Sequence, residues 1–294
     1  MRILFTDGAF PTTADAETIH GDKGMSEKKI GVDYSMLHRI DSPANRLIRD
    51  SIWGKENDIG QQSFITPRYL DDLIIRLGIG SDTCVLDVGS GVGGPAIYIA
   101  SRTGCRIAGI DISDVGVNMA VKLAKQSGLE GKTEFHLGDA MKTPFADGTF
   151  DTAISLNVMN VFKDKVGLFR EVLRVLKKGG IWAFLSGTFD MPDDPEVARK
   201  MARGYLIPQY YDSLATYRTK LKEAGFQIEE ITEYVSDFRV QNKKWGDAYK
   251  EHYDEIVKEQ GMENTDYHIE YFGTYLRLID VGRAANHLTI SRKS

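Results

Sequence analysis

Cysteine is nearly missing: Cys84 and Cys105 are the only two among 294 residues. They form no Cys-x-x-Cys and no Cys/His cluster, and the 6 histidines are scattered without a His-x-x-x-His pair, so a structural zinc site lacks ligands of the usual spacing. Two buried free thiols fit a reducing cytoplasm. No apolar run approaches the ~20 residues that cross a bilayer, which excludes a membrane-spanning role. The opening stretch MRILFTDGAFPTTADAETIHGDKG lacks the longer apolar segment of a secretory signal. A basic excess is lacking too: 37 Lys+Arg stand against 42 Asp+Glu, a net charge of -5, which argues against a nucleic-acid partner.

What is present is globular. Hydrophobic residues make up 42% and charged residues 27%, and the length allows one large domain with elaborations or two small ones. Residues 1–30 are polar and Gly-rich and read as a mobile tail or loosely docked arm. Residues 33–54 read as helical with a break near Ser42-Pro43, and Thr66-Pro67 opens another helix. Strands (83–89, 105–112, 133–140, 150–158, 181–188) then alternate with helices (95–102, 116–128, 165–180), the last stopped by Gly179-Gly180. That order implies a parallel sheet covered on both faces. After Thr188 a helix ends at Ala224-Gly225, a strand covers 226–235, residues 241–285 are helical, and 286–292 close as a strand. The expected fold is α/β, a Rossmann-like doubly wound sheet, mostly parallel with a final antiparallel strand, plus a helical cap and lid. Its parts are an amino-terminal arm and cap (1–65), a core (66–235) with lid segment 189–224, a helical lid insertion (236–285) and a last core strand (286–294).

Gly89, Gly91 and Gly94 satisfy G-x-G-x-x-G between a strand and a helix, a turn that lets backbone approach a ligand at a helix amino terminus. Asp87, two residues earlier, would repel a dinucleotide pyrophosphate but attract S-adenosyl-L-methionine (SAM), whose ammonium and sulfonium are cationic and whose carboxylate can meet the helix end. Asp111 ends the next strand, where an acid can accept ribose hydroxyls. Asp139 follows the third strand, where it can accept from an adenine amino group.

With Leu-Asp-Val-Gly-Ser-Gly-Val-Gly-Gly, Gly-Ile-Asp-Ile-Ser, Gly-Asp-Ala and Leu-Lys-Lys-Gly-Gly in order, residues 66–235 resemble the class I SAM-dependent methyltransferases. The resemblance implies Gly89 and Gly91 at the methionyl end, Asp111 on ribose, Ile112 on the adenine face, Asp139 and Ala140 on the adenine edge, and Asn157 near the methyl donor. The fourth strand ends Ser155-Leu156-Asn157-Val158-Met159-Asn160, which is not the Asn/Asp-Pro-Pro-Tyr/Phe motif of base-amino methylation, and no Pro-Cys nucleophile exists. The segment Trp53-Gly54-Lys55-Glu56-Asn57-Asp58-Ile59-Gly60-Gln61 is similar to one in the sarcosine/dimethylglycine methyltransferases, with Asp58 near the place of their His. Ile59-Gly60-Gln61-Gln62-Ser63-Phe64-Ile65-Thr66 is similar to small-molecule, natural-product methyltransferases.

An aromatic-rich lid (Tyr205, Tyr210, Tyr211, Trp245, Tyr271, Tyr275 among others) suits a hydrophobic small-molecule substrate, or a cationic centre held over ring faces. Methylation at O, N or C stays open. His38 and Tyr34 are the candidate proton acceptors and Tyr211 the candidate substrate contact, while Arg39, Arg46, Arg49 and Arg68 could clamp the carboxylate of an amino-acid substrate. A sarcosine- or phosphoethanolamine-type amine methyltransferase, an NAD-dependent oxidoreductase (opposed by Asp87) and a non-catalytic SAM-binding subunit are the alternatives. Oligomeric state, including a homo-oligomer, is left open.

Overall fold

The computed structural model describes residues 10–12, 41–61, 63–190, 194–204 and 207–294. Its centre is a seven-stranded sheet. The strands are β1 (Cys84–Val88), β2 (Arg106–Asp111), β3 (Thr133–Leu137), β4 (Phe150–Leu156), β5 (Leu176–Phe189), β6 (Phe226–Glu233) and β7 (Ala284–Lys293). They lie in the order β3-β2-β1-β4-β5-β7-β6. Strands β1 to β5 are parallel; β7 runs antiparallel to both neighbours and lies between β5 and the edge strand β6. The inner strands are apolar on both faces because helices cover both, and Val85, Leu86, Ile107, Ala108, Ala153 and Ile154 are all fully buried.

The helices are α1 (Pro43–Asn57), α2 (Pro67–Leu77), α3 (Gly94–Thr103), α4 (Asp114–Gln126), α5 (Lys165–Val175), α6 (Pro195–Arg203), α7 (Leu214–Ala224), α8 (Val235–Glu251), α9 (Tyr253–Gln260) and α10 (Met262–Asp280). Local chemistry starts them where expected. Ser42 caps α1 by accepting from the Asn45 N–H, Thr66 caps α2 by accepting from the Tyr69 N–H, and a proline opens each. Helix α1 kinks at Gly54, whose φ is 65°.

Two expectations change. The helix read over 165–180 ends at Val175, because Leu176 already pairs with Phe150; a register shift follows before Ile181 pairs with Thr152. The two glycines thus lie in an irregular strand entry rather than in a helix stop. The arm read as loosely docked has one anchored point: Phe10 is buried against Phe145 and Phe150, under the Arg106 guanidinium, and Thr12 bridges to Phe145.

Between β6 and β7 the chain inserts α8, α9 and α10, which form a second apolar core with α1 that includes Ile48, Ile52, Phe238 and Tyr249. Trp53 of α1 meets Trp245 of α8 edge-on at 5.6 Å. The chain runs β1, β2, β3 outward, then returns to β4 beside β1. The carboxyl ends of β1 and β4 therefore flank the crevice where doubly wound sheets bind ligands.

Candidate active site

All eight residues assigned to the cofactor, with Tyr211, line one cavity of about 480 Å³ at these strand ends. The glycine loop forms its floor. Gly89, Gly91 and Gly93 all have positive φ. At Gly89 a side chain is excluded twice, since a Cβ would lie 2.7 Å from Val158 Cγ2, just beyond β4. The loop is pinned to β2: the Gly89 and Ser90 N–H groups donate to the Ile110 carbonyl (2.9 and 3.2 Å). Asp111 accepts from the Gly91 N–H through Oδ2 (2.8 Å) and from the Ser113 N–H through Oδ1 (2.9 Å). A carboxylate offers about four acceptor positions, so both oxygens keep capacity for ribose hydroxyls.

Asp87 is 2% exposed on β1, with its carboxyl at the cavity wall. Burial, with the Asp111 carboxylate adding to it, pushes this carboxyl up to about 7. Asn157 follows β4 with φ at 60°, a left-handed conformation rare outside glycine. Its N–H donates to the Leu185 carbonyl, while its Oδ1 is buried without a partner. A buried carboxyl and an orphaned amide oxygen on one cavity wall fit a ligand carrying an ammonium and a sulfonium. The glycine floor leaves room for its backbone-hugging end. Asp139 is exposed and accepts from the Met141 N–H, Ala140 is buried, and both sit beyond β3 with Ile112 nearby on the same cavity.

The other half of the cavity is aromatic, walled by Tyr210, Tyr211, Trp245, Tyr271, Phe272 and Tyr275. Tyr211 packs on Phe189 at 4.1 Å between centroids, and its hydroxyl bonds that of Tyr271 at 2.9 Å. Burial pushes the Tyr211, Tyr271 and Tyr275 phenols well above their usual range, so they act as neutral groups. The four-residue tyrosine steps divide: Tyr271 and Tyr275 face the cavity, whereas Tyr267 caps the end of α6 by donating to the Lys200 and Gly204 carbonyls. Tyr253 bonds Asp266. Tyr205 lies outside the described residues.

Sequence reasoning missed two constructions. Arg49 of α1 is buried, pairs with both oxygens of Asp58, and donates to the Gln61 carbonyl at 2.7 Å. It therefore cannot clamp a substrate carboxylate, and Asp58, where the similar enzymes have His, serves the loop. That loop presses on the start of α3 so closely that a Cβ on Gly94 would lie 2.1 Å from the Ile59 carbonyl oxygen. Gly60, Gln61 and Phe64 thereby roof the cavity. The second is Lys165, 1% exposed, whose Nζ donates to the Phe162 and Tyr210 carbonyls (3.0 and 2.5 Å) and pairs with Asp212. It ties the turn after β4 to the segment carrying Tyr210 and Tyr211. In the sequence Lys165 looks like an ordinary solvated helix cation, and Arg49 reads as one of four possible carboxylate clamps rather than as a loop anchor.

His38 and Tyr34, the candidate proton acceptors, lie outside the described residues. Among the described residues no histidine and no arginine lines the cavity, and no group of three or more His, Cys, Asp or Glu side chains is placed to hold a metal. No helix among them is long and apolar enough to cross a membrane.

Comparison with known proteins agrees with this geometry. Residues 86–184 match the methyltransferase domain family. Methyltransferase GfsG of Streptomyces halstedii is 30% identical over 235 residues, 75% of this chain and 81% of that protein. Sterol 24-C-methyltransferase of Kluyveromyces lactis is 34% identical over 169 residues; that match spans 55% of this chain but only 45% of the sterol enzyme. The fold is shared with a structure described as a sarcosine dimethylglycine methyltransferase from Galdieria sulphuraria (TM-score 0.73, 20% identity, 87% of this chain and 98% of that one). The chain belongs to the class I SAM-dependent methyltransferases, enzymes that transfer the methyl group of S-adenosyl-L-methionine.

Proposed function

We propose that this enzyme methylates a small, largely apolar, ring-bearing metabolite of the natural-product kind. One observation carries the reading: the acid-and-glycine end of the cavity opens directly onto a wall of six aromatic side chains. Apolar ligand surface removed from water there contributes about 25 cal/mol per Å². The amine alternative would need a carboxylate or phosphate clamp, and the only cation lining the cavity among the described residues is Lys163.

In the proposed arrangement Asp111 holds the ribose, Asp139, Ala140 and Ile112 frame the adenine, and Asp87 with the Asn157 amide oxygen faces the ammonium. Bound SAM supplies an electrophilic methyl group with its leaving group attached. The protein's part is alignment of the acceptor atom with that methyl, which accounts for much of the rate in such displacements. The phenols of the aromatic wall stay protonated and serve as contacts. An O–H or N–H acceptor that must lose its proton would turn to His38 or Tyr34 of the amino-terminal cap. The same reading includes a reducing, cytoplasmic setting, in keeping with the free thiols Cys84 and Cys105, and no nucleic-acid partner, in keeping with the net charge of -5.

Incubation of the purified protein with methyl-labelled SAM and a metabolite extract, followed by mass identification of the labelled product, tests the reading. An apolar labelled product supports it. Rapid turnover of glycine, sarcosine or phosphoethanolamine overturns it.

A further inference from the structure

Asn160 sits in the short turn after β4, at the cavity wall. Its Oδ1 accepts from the Ser186 hydroxyl (3.2 Å) and the Tyr217 hydroxyl (3.3 Å), both buried. With the oxygen occupied, the amide presents its Nδ2 donor on the other side, where it has no partner among the described residues. That side faces Gly187 of β5, which also lines the cavity. A side chain placed on Gly187 would have its Cβ 2.7 Å from the Tyr275 hydroxyl, 3.3 Å from Asn160 Nδ2 and 3.7 Å from Tyr211 Cε1. Groups from three elements thus cluster around Gly187, at the wall of an otherwise aromatic pocket.

Proton counting gives this spot a polarity. Tyr271 bonds Tyr211 at 2.9 Å, and Tyr211 interacts in turn with Tyr275. Three hydroxyls carry three protons, and two contacts between them use two. One O–H therefore has no phenol acceptor; where Tyr271 donates to Tyr211 and Tyr211 to Tyr275 it is that of Tyr275, which donates to no carbonyl or carboxylate among the described residues. Both residues line the cavity, so a ligand that brings an acceptor can take these two donors.

We propose that Asn160 and Tyr275 form a donor pair that holds an oxygen acceptor of the substrate, a carbonyl, ether or hydroxyl oxygen on an otherwise apolar molecule. This rests on the aromatic half of the cavity being the methyl-acceptor pocket, and it names what that pocket recognises. Two N–H and O–H donors oppose an ammonium, which has only donors of its own, and gain nothing from a hydrocarbon. The pair sets the register of the ring system relative to the cofactor, so it decides which atom meets the methyl group.

The probes are 2-acetonaphthone and 2-isopropenylnaphthalene, which share a shape and differ by a carbonyl oxygen in place of a methylene. Their affinities are measured by ligand-observed NMR on the full chain saturated with S-adenosylhomocysteine. Wild type should bind the ketone about tenfold or more tightly than the alkene, since sites built to hydrogen-bond a group reject analogues lacking it. Tyr275→Phe, which keeps the ring, and Asn160→Ala should each bring the two affinities together by weakening the ketone alone. Equal affinities in wild type, binding of neither probe, or a ketone preference intact in Tyr275→Phe overturns the donor pair. If Asn160→Ala does not fold, Tyr275→Phe decides alone. Calorimetry of S-adenosylhomocysteine binding to the same samples separates the two readings: wild type that fails to bind it refutes the cofactor assignment, whereas normal binding without ketone preference refutes only the donor pair.

Discussion

Arg49 and Asp58, nine positions apart, meet through both carboxylate oxygens and hold the loop that seats against the glycine turn. The guanidinium side chain is 7% exposed and the carboxylate 23%. Asp58→Asn leaves a nearly buried guanidinium without its counter-charge. Breaking a buried pair costs roughly 3–5 kcal/mol, and the partial exposure of Asp58 places this one near the low end. We expect a lower unfolding midpoint in urea and a several-fold weaker SAM affinity, because Gly60 and Gln61 lose their support. Asp58→Glu should recover part of both. Unchanged SAM affinity in folded Asp58→Asn would detach this loop from the cofactor site.

With Asp87 facing the cofactor as proposed, cofactor binding should depend on pH. The Asp87 carboxyl is raised from 3.8 to about 7 by burial and by Asp111. The folded free protein therefore binds this proton more tightly than the unfolded chain. The stability this contributes is fully present below pH ~4 and is lost as pH rises towards 7. A ligand ammonium and sulfonium favour the carboxylate, so binding below pH 7 releases a proton. SAM affinity should rise by up to about tenfold per pH unit below pH ~7 and level off above. Calorimetry in two buffers of different ionisation enthalpy measures the released proton. Asp87→Asn should bind more weakly at pH 8 and lose the slope; an affinity flat from pH 5.5 to 8 in wild type contradicts the role.

Asn157 separates strain from recognition. Its φ of 60° costs a residue with a Cβ about 1–2 kcal/mol, less for Asn than for Ala. Asn157→Gly should keep or raise stability, while Asn157→Ala should lower it by about 1 kcal/mol. Both remove the orphaned Oδ1, so both should weaken SAM binding alike. Chemical denaturation paired with calorimetry distinguishes the effects. Full SAM affinity in Asn157→Gly would leave this residue a turn-former only.

The order of strands and helices was legible from Cys84 to Val175 because short apolar runs alternate there with amphipathic segments bounded by glycine. The gathering of the three acids at one cavity was legible for a related reason: Asp87, Asp111 and Asp139 sit at or just beyond the ends of successive strands, and parallel pairing brings those ends to one rim. Leu176 misled because glycines at 179 and 180 suit a helix stop equally well as a strand bulge, and only pairing with Phe150 decides. The roles of Asn160, Arg49 and Lys165 were not legible, Arg49 having read as a carboxylate clamp rather than as a loop anchor. Each acts through partners distant in the chain or through backbone carbonyls, and neither leaves a local pattern.

Lys165 gives the last prediction. It holds the carbonyls of Phe162 and Tyr210 and pairs with Asp212, which Lys220 also holds at 2.7 Å. Burial pulls its ammonium down to about 8 from 10.5, against the attraction of Asp212 and with help from Lys220. The unfolded chain therefore keeps this proton over a range where the folded one has shed it. Stability contributed by this residue rises as pH goes from about 8 to 10.5. Lys165→Met should remove that rise, which denaturation at pH 7.5 and 9.5 can show. It should also loosen the segment bearing Tyr210 and Tyr211, since two carbonyls and Asp212 lose a shared donor. Hydrogen exchange should speed up at residues 209–212 while the glycine loop and SAM affinity stay near wild type. Faster exchange spread evenly over the sheet would mean that Lys165 supports the whole core rather than the aromatic wall of the cavity.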